Sequence, residues 1–528
     1  MNYRDTVHLP KTSFKMKANL RQREPEFQRR WAETGLYERI REARRGCPRY
    51  VLHDGPPYAS GDLHIGTGMN KILKDMAVRS RTMMGFDAPY VPGWDCHGMP
   101  IEVQVLRELG EGALEAPTMD VRRRCRAFAT RHVKAHVRQF QQLGVLGAFD
   151  HPYLTLDPAY ERAVIEFFAD LVEGGYVYKS LKPIHWDWAT RSALADAELE
   201  YRDVESPAVY VKFPMADEVR DLFPALGDEP VSMLIWTTTP WTLPANLAIA
   251  LARDAEYSAV RYNDPVTARA EVVILAEDLI EMALRKVGLD QWEVVGRCRG
   301  HQLEGRRYRH VLHEKTCPIV LADYVSLEDG TGCVHTAPGH GREDYETGLA
   351  YGLDIFSPVD EDGKLTPESG RFAGRHVFEA DPQIVEYLRQ QGHLLHDESF
   401  LHSYPHGWRS KEPVIFRATE QWFVAVDHEG LRQRVLEAIP TVQWVPAWGE
   451  GRIAAMVSER PDWCISRQRA WGIPIPGFYC QGCGKLLLDA AVVRHVAGVF
   501  GEKGSDAWFL GEPADLPPEG TTCPECGG

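Results

Sequence analysis

The chain has 528 residues, 44% hydrophobic and 26% charged, with a formal net charge of −15. That length predicts two to four domains of a globular chain, with no apolar run long enough to span a membrane and no signal-peptide core in the first residues. The expectation is a cytoplasmic chain without a membrane partner, whose nucleic-acid contacts, if any, come from local basic patches rather than net charge.

In chain order, residues 14–45 open with the basic tract Lys15–Arg23. Pro25 suits the first turn of a helix, and Phe27 and Trp31, four apart, would share its buried face. Tyr50, Val51 and Leu52 read as a short strand that runs into a Gly/Pro turn. Beyond it Met69, Ile72, Leu73 and Met76 recur at helical spacing, so a helix begins near Ile65. Strand, tight turn and helix N-terminus make a phosphate site, because the first amides of a helix lack internal partners and point at an anion. Gly61, Gly66 and Gly68 let a ligand approach the backbone, and His64 can donate to a phosphate oxygen. Taken alone, the turn also reads as an ordinary βα connection with a surface histidine.

A long basic helix is expected over roughly 119–143, carrying Arg122, Arg123, Arg124, Arg126, Arg131 and Arg138. It is either a solvated face or a nucleic-acid contact. Near residue 205 the pattern changes to short strands at 209–213, 231–236, 257–260, 272–275 and 319–321. A strand-rich block over 205–400 within an α/β chain reads as an inserted domain, with the chain returning through Tyr404–Ser410 and re-entering the core at Phe416–Phe423. Two stretches stand out in it, Trp236–Asn246 with three consecutive threonines, and Gly330–Asp344. Taken separately, the threonines are strand formers and His335 a core histidine. Arg467 and Arg469 lie near aromatics and suit either a phosphate or RNA contact, or a structural ion pair.

Eleven cysteines are present. Seven are scattered and read as buried thiols. Cys480 with Cys483 and Cys523 with Cys526 form two Cys-x-x-Cys pairs, a spacing that argues for metal rather than disulfides. Two such knuckles close a tetrahedral structural zinc site.

The tetrapeptide His64-Ile65-Gly66-Thr67 resembles the His-Ile-Gly-His signature of class I aminoacyl-tRNA synthetases. The flanks Asp54-Gly-Pro-Pro-Tyr58, Asn70-Lys-Ile-Leu-Lys-Asp75 and Gly93-Trp-Asp-Cys-His-Gly-Met-Pro-Ile-Glu102 are similar to those of the isoleucyl-tRNA synthetases. Thr67 stands at the second signature histidine; its hydroxyl can donate to a phosphate but carries no charge. The resemblance implies an α/β fold, a class I Rossmann-like nucleotide-binding core split by a β-rich editing domain, with a small zinc-knuckle region. The expected parts are an N-terminal helical extension (1–45), the first half of the catalytic domain (46–204), the inserted editing domain (205–400), and a return to the core with the zinc region (401–528).

The same resemblance implies ATP-dependent activation of isoleucine and its transfer to tRNA(Ile), with ATP carrying Mg2+. His64, Gly66 and Thr67 would hold ATP; Pro56, Trp94, Asp95 and His97 would surround isoleucine, Asp95 pairing with its ammonium. In the insert, Thr237, Thr238 and Thr239 would line a pocket around the terminal adenosine and a water. Asn246 and His335 would hold the misacylated end, and Asp344 would take the ammonium of a mischarged valine. A second site is needed because one methylene is worth only about 1–3 kcal/mol of discrimination, an argument for which this enzyme family is the standard example. Some relatives carry zinc-binding cysteines near Trp186–Trp188 and at the Gly407 position; this chain has none there. The Lys-Met-Ser-Lys-Ser loop of the family is not found in these residues, so the expectation is the N-terminal part of an enzyme that a C-terminal half completes. Two other classes stay open, a deacylase of Val-tRNA and a non-catalytic tRNA-binding module.

Overall fold

The structure, a computed structural model, describes residues 6–8, 12–13, 17–110, 112–512 and 515–528. The start of the basic tract, Lys15 and Met16, lies outside the described residues. The chain forms two compact units. The first is discontinuous, Met1–Gly174 with Arg469–Gly528; the second, Gly175–Gln468, interrupts it.

The first unit opens with helices α1 (Leu20–Glu33), α2 (Leu36–Ala43), α3 (Ile65–Met83), α4 (Met99–Leu109), α5 (Thr118–Gln142) and α6 (Pro158–Glu173). Helix α1 begins earlier than expected, so Pro25 lies inside it and not in its first turn. No α1 side chain is buried: Phe27 is exposed, and Trp31 is half-buried beneath the Arg79 guanidinium. Between the helices run parallel segments. Strand β1 (Gly93–Trp94) pairs in parallel with β2 (Tyr153–Leu154), and parallel bridges join Arg49 to Asp87 and Tyr58 to Asp95. The strand expected at Tyr50–Leu52 is reduced to the first of those bridges, with Val51 exposed.

Helix α3 starts where the apolar spacing places it, but it packs by the other face. Met69, Leu73 and Met76 are exposed, whereas Lys71 and Val78 are buried. The reason is an ion pair stronger in its demands than the stripe: Lys71 turns inward to Asp54, which also takes Lys74 and the Tyr90 hydroxyl. A buried carboxylate is costly unless such partners surround it, so the pair sets the rotation of the helix. The unit's core gathers Trp94, Ile101, Val105, Val121, Cys125, Phe128 and Phe140 from α4, α5 and the parallel segments, with Trp471 from the returning chain.

In the second unit the strands are β3 (Val177–Asp187), β4 (Ser192–Leu194), β5 (Leu199–Pro214), β6 (Val231–Thr237), β7 (Ala248–Leu251), β8 (Glu256–Asn263), β9 (Ala270–Ala276), β10 (Glu293–Arg299), β11 (Arg307–Arg309), β12 (Thr316–Leu321), β13 (Cys333–Thr336), β14 (Leu394–Gly407), β15 (Ile415–Val424) and β16 (Trp463–Cys464). Its helices include α7 (Ile280–Lys286), α8 (Gly300–Leu303), α9 (Arg342–Tyr351) and α10 (Val377–Gln390). All five strands read from the sequence are present. A six-stranded sheet in the order β10-β8-β9-β6-β5-β14 is accompanied by two four-stranded sheets, β11-β12-β7-β13 and β16-β15-β3-β4.

Alternation explains how the large sheet is buried on both faces. Val209, Val211, Phe213, Met233 and Ile235 enter one core with Ile249, Leu251 and Ile319, while Tyr210, Leu234, Val260 and Leu275 meet Ile280 and Leu284 of α7. Lys212, on the second face, is buried against Asp264 and Glu271. The unit is wider than the 205–400 block because two long antiparallel pairs extend it: β14 runs along β5 from Leu394 to Gly407, and β15 along β3 from Ile415 to Val424. Phe416–Phe423 therefore belongs to this unit, and the chain leaves it at Gln468. It ends with a β17–β18 hairpin (Phe478–Tyr479 and Leu486–Leu487) and a helix, Ala490–Lys503, laid on α6 with Arg494 between Asp170 and Glu173.

Candidate functional site

In the first unit the signature turn is held from behind. His64 is the N-cap of α3: its Nδ1 accepts the Thr67 amide at 3.3 Å, and its Nε2 lies 3.0 Å from the Thr67 hydroxyl. Gly66 leaves room for this ring, since a Cβ there would stand 3.1 Å from it. Thus His64, Gly66 and Thr67 sit together at a helix N-terminus, the polarity that favours an anion. Gly61 has a positive φ, and its carbonyl is 2.7 Å from His136 Nε2. Burial pushes the His136 pKa down, so the ring is neutral, receiving the Trp94 indole N–H at Nδ1 (3.1 Å) while Nε2–H donates to Gly61.

That relay corrects one reading. Trp94, expected against the amino acid, is fully buried and packs on Phe140. Its indole N–H donates to His136, a histidine that sequence reasoning did not single out. Asp95 and His97 lie together, against Pro57, the neighbour of Pro56. The Asp95 amide donates to the Pro57 carbonyl, and the His97 amide donates to Asp95 Oδ1 at 3.2 Å. Burial raises the Asp95 pKa against the lowering effect of that amide. His97 Nε2 is 3.3 Å from the buried Glu161, which accepts the Ser505 amide and hydroxyl, and the His97 ring meets Trp471 edge-on.

The basic helix divides its arginines. Arg122 is fully buried, pairing with Asp506 at 2.6 Å and donating to the carbonyls of Ala470 and Gly472 and to Ser505. Arg123, Arg126, Arg131, Lys134 and Arg138 instead line a groove of about 560 Å³ with Ala127 and Thr130. Arg467 donates to the Cys464 and Ser466 carbonyls and to Glu198, and Arg469 lies 3.6 Å from Glu102, so both serve structural ion pairs.

Cys480 and Cys483 sit at the β17–β18 hairpin, facing Cys523 and Cys526. The four sulfurs lie within 4.8 Å of one another, with Cys480–Cys526 at 3.5 Å and Cys483–Cys523 at 3.7 Å. Four thiolates about 2.3 Å from a tetrahedral metal stand about 3.8 Å apart, so the set suits such an ion. The seven other cysteines are unpaired, six buried and Cys47 half-buried.

In the second unit the two stretches that stood out are joined at His335. Its Nε2 is 2.9 Å from the Thr242 hydroxyl and its Nδ1 is 2.8 Å from Asn246 Nδ2. Burial, then nearby His340, pushes the His335 pKa down to about 3, so the ring is neutral and has both nitrogens engaged. Asn246 is fully buried: Nδ2 also donates to the Ala248 carbonyl, and Oδ1 accepts the Tyr308 hydroxyl at 2.6 Å. Thr242 in turn donates to the Thr239 carbonyl at 2.8 Å, and the Thr239 amide donates to Thr237 Oγ1. A buried chain therefore runs from Tyr308 to the threonine turn.

Thr238 and Thr239 open on a cavity of about 410 Å³, whose other described walls are Glu205, Ser206, Pro207, Trp241, Phe378, Asp381, Pro382 and Tyr404. Thr237, Asn246, His335 and Asp344 are not among those walls; Asn246 and His335 support the turn from behind. Asp344, in the first turn of α9, accepts the Ala337 amide at 2.8 Å and the Tyr324 hydroxyl at 3.1 Å. Burial raises its pKa to about 6, opposed by those two donors. Asp381 is the residue the sequence did not disclose. It is 6% exposed, and its Oδ1 accepts the Trp241 amide at 2.7 Å. Burial raises its pKa to about 7 against the opposing effect of that amide.

The chain matches the family model for class I tRNA synthetases (I, L, M and V) over residues 26–520. It is 51% identical over 527 residues to an isoleucine–tRNA ligase of Kosmotoga olearia and 50% identical over 529 residues to one of Thermotoga neapolitana. Each alignment covers 100% of this chain and 56% of the relative, so the chain spans about half the length of these relatives. A leucyl enzyme of Agrobacterium radiobacter K84, solved with tRNA and LeuAMS, is 17% identical over 97% of this chain and 57% of its own, with a TM-score of 0.37, too slight a likeness to carry detail.

Proposed function

We infer the function of this chain from its family: it belongs to the class I tRNA synthetases (I, L, M and V), and we propose that it is part of an isoleucine–tRNA ligase with an editing site. In the ligase reaction the isoleucine carboxylate attacks the α-phosphorus of ATP, releasing pyrophosphate, and the acyl group passes from the adenylate to the 3′ end of tRNA(Ile). His64, Gly66 and Thr67 at the start of α3 would hold the phosphates of Mg-ATP. Asp95, beside Pro57 and His97, would take the amino-acid ammonium, with Pro56 in the same turn. The parallel segments of the first unit are read as part of a Rossmann-like sheet, and Cys480, Cys483, Cys523 and Cys526 as a structural zinc site with no ligand position left open. The groove between Arg123 and Arg138 offers guanidinium groups to an RNA backbone.

The second unit is read as the editing domain. The observation that carries this is the junction at His335, which ties the threonine turn to the Gly330–Asp344 stretch beneath an open cavity. Hydrolysis there breaks the bond between the acyl carbon and the ribose oxygen with a placed water. Thr238 and Thr239 can hold that water and donate to the developing oxyanion. His335 has both nitrogens engaged, so its part is to hold Thr242 and not to take the proton. Asp344 would meet the ammonium of the mischarged residue. The test is selectivity: the chain is expected to deacylate Val-tRNA(Ile) faster than Ile-tRNA(Ile), and equal rates for the two refute the editing reading.

A further inference from the structure

Asp381 is a buried carboxyl at the wall of the cavity, and only half of it is accounted for. Oδ1 accepts the Trp241 amide, while Oδ2 has no hydrogen-bond partner among the described residues. The cavity it lines also has three aromatic residues in its wall, Trp241, Phe378 and Tyr404, and the hydroxyl residues Ser206, Thr238 and Thr239. Aromatic walls with one convergent polar group suit a nucleobase.

We propose that Asp381 reads the base of the terminal adenosine, presenting its carboxyl edge to the Watson–Crick edge of the purine. This rests on the editing reading of the cavity. A protonated carboxyl offers one O–H donor and one acceptor side by side. Adenine offers the complement, an N6–H donor beside the N1 acceptor. Oδ2–H donates to the ring nitrogen, and Oδ1 accepts N6–H on the lone pair that Trp241 leaves. An ionised carboxyl, which only accepts, favours instead a base with N1–H, such as hypoxanthine. A carboxyl that burial holds near neutrality is therefore able to prefer adenine.

The other titratable groups at this wall are Glu205 on β5 and Tyr404 on β14; the turn bearing Trp241 brings none. Burial raises the Tyr404 phenol far above the working range, and the neighbouring Asp381 raises it further.

The experiment compares deacylation of Val-tRNA ending in adenosine with Val-tRNA ending in inosine, from pH 6 to 8. One bidentate base contact sets a preference of roughly ten- to a hundredfold in kcat/KM. Wild type is expected to prefer adenosine by that factor at pH 6 and to lose the preference as pH rises through 7. Asp381→Asn keeps a donor and an acceptor without titrating, so it should keep the preference at every pH. Asp381→Leu should abolish it. A merely structural carboxyl that holds Trp241 would slow both substrates alike. The proposal is overturned if Asp381→Leu retains the wild-type ratio, or if Asp381→Asn keeps the wild-type pH dependence. If wild type deacylates neither substrate above buffer, the editing reading itself has failed and this proposal falls with it; if both are cleaved at equal rates at pH 6, the proposal alone falls.

Discussion

Replacing Asn246 by alanine tests the chain of contacts behind the threonine turn. Asn246 accepts the Tyr308 hydroxyl at 2.6 Å and donates to His335 Nδ1 at 2.8 Å and to the Ala248 carbonyl at 2.9 Å. Tyr308 and His335 are themselves buried, so alanine strands a hydroxyl and an imidazole nitrogen away from water. Each stranded group costs about 1–3 kcal/mol, which makes a loss of roughly 2–5 kcal/mol for the unit Gly175–Gln468. Because His335 orients Thr242, and Thr242 holds the Thr239 carbonyl, deacylation should fall together with stability. Urea unfolding and a Val-tRNA deacylation time course measure the two. Asn246→Asp sharpens the test: a carboxylate still accepts from Tyr308 but cannot donate to Nδ1, so His335 must carry a proton there and its pKa, now about 3, should rise in an NMR titration. An alanine variant as stable as wild type to within about 0.5 kcal/mol, or one that loses stability with deacylation untouched, refutes the relay.

Three further outcomes are expected. The purified chain should hold one zinc, and Cys523→Ser should lower both zinc content and thermal stability; unchanged metal analysis refutes the site formed with Cys480, Cys483 and Cys526. Arg122→Met should destabilise the first unit by about 3–5 kcal/mol, because it leaves two carbonyls without their donor and Asp506 with Arg126 alone; an effect below about 1 kcal/mol in denaturant unfolding contradicts this. Asp344 binds its proton more tightly in the folded chain, at about 6 against about 3.9 unfolded. Its contribution is thus fully present below about pH 4 and lost as pH rises through 6, a fall of about 3 kcal/mol that Asp344→Asn should remove from the stability profile.

Local patterns were legible and distant pairings were not. The four cysteines, the helix from Ile65 and the strands of the insert are written in short-range spacing and alternation. The apolar spacing located α3 but not its buried face, because Lys71, a residue that usually faces water, is drawn inward by Asp54. Arg122 looked like its exposed neighbours because its partner Asp506 lies 384 residues away. The compact unit extends beyond the 205–400 block because β3 and β5 pair with β15 and β14 across long stretches of sequence. Trp94 and Asp381 differ in kind. The first is buried and donates to His136, and the second meets the turn bearing Trp241 from 140 residues away, in a helix whose sequence says nothing of a pocket.

The central claim is that the second unit clears valine from tRNA, and single-turnover deacylation of Val-tRNA(Ile) tests it most directly. With the 528-residue chain in excess over pre-charged tRNA, the account predicts first-order loss of valine well above the buffer rate. Asp344→Ala removes the carboxylate proposed for the valine ammonium, and a charge-assisted hydrogen bond is worth about 1.5–3 kcal/mol. That variant should slow the decay roughly ten- to a hundredfold with its circular dichroism unchanged. A wild-type curve that superimposes on buffer contradicts the account; a variant curve that superimposes on wild type removes Asp344 from it.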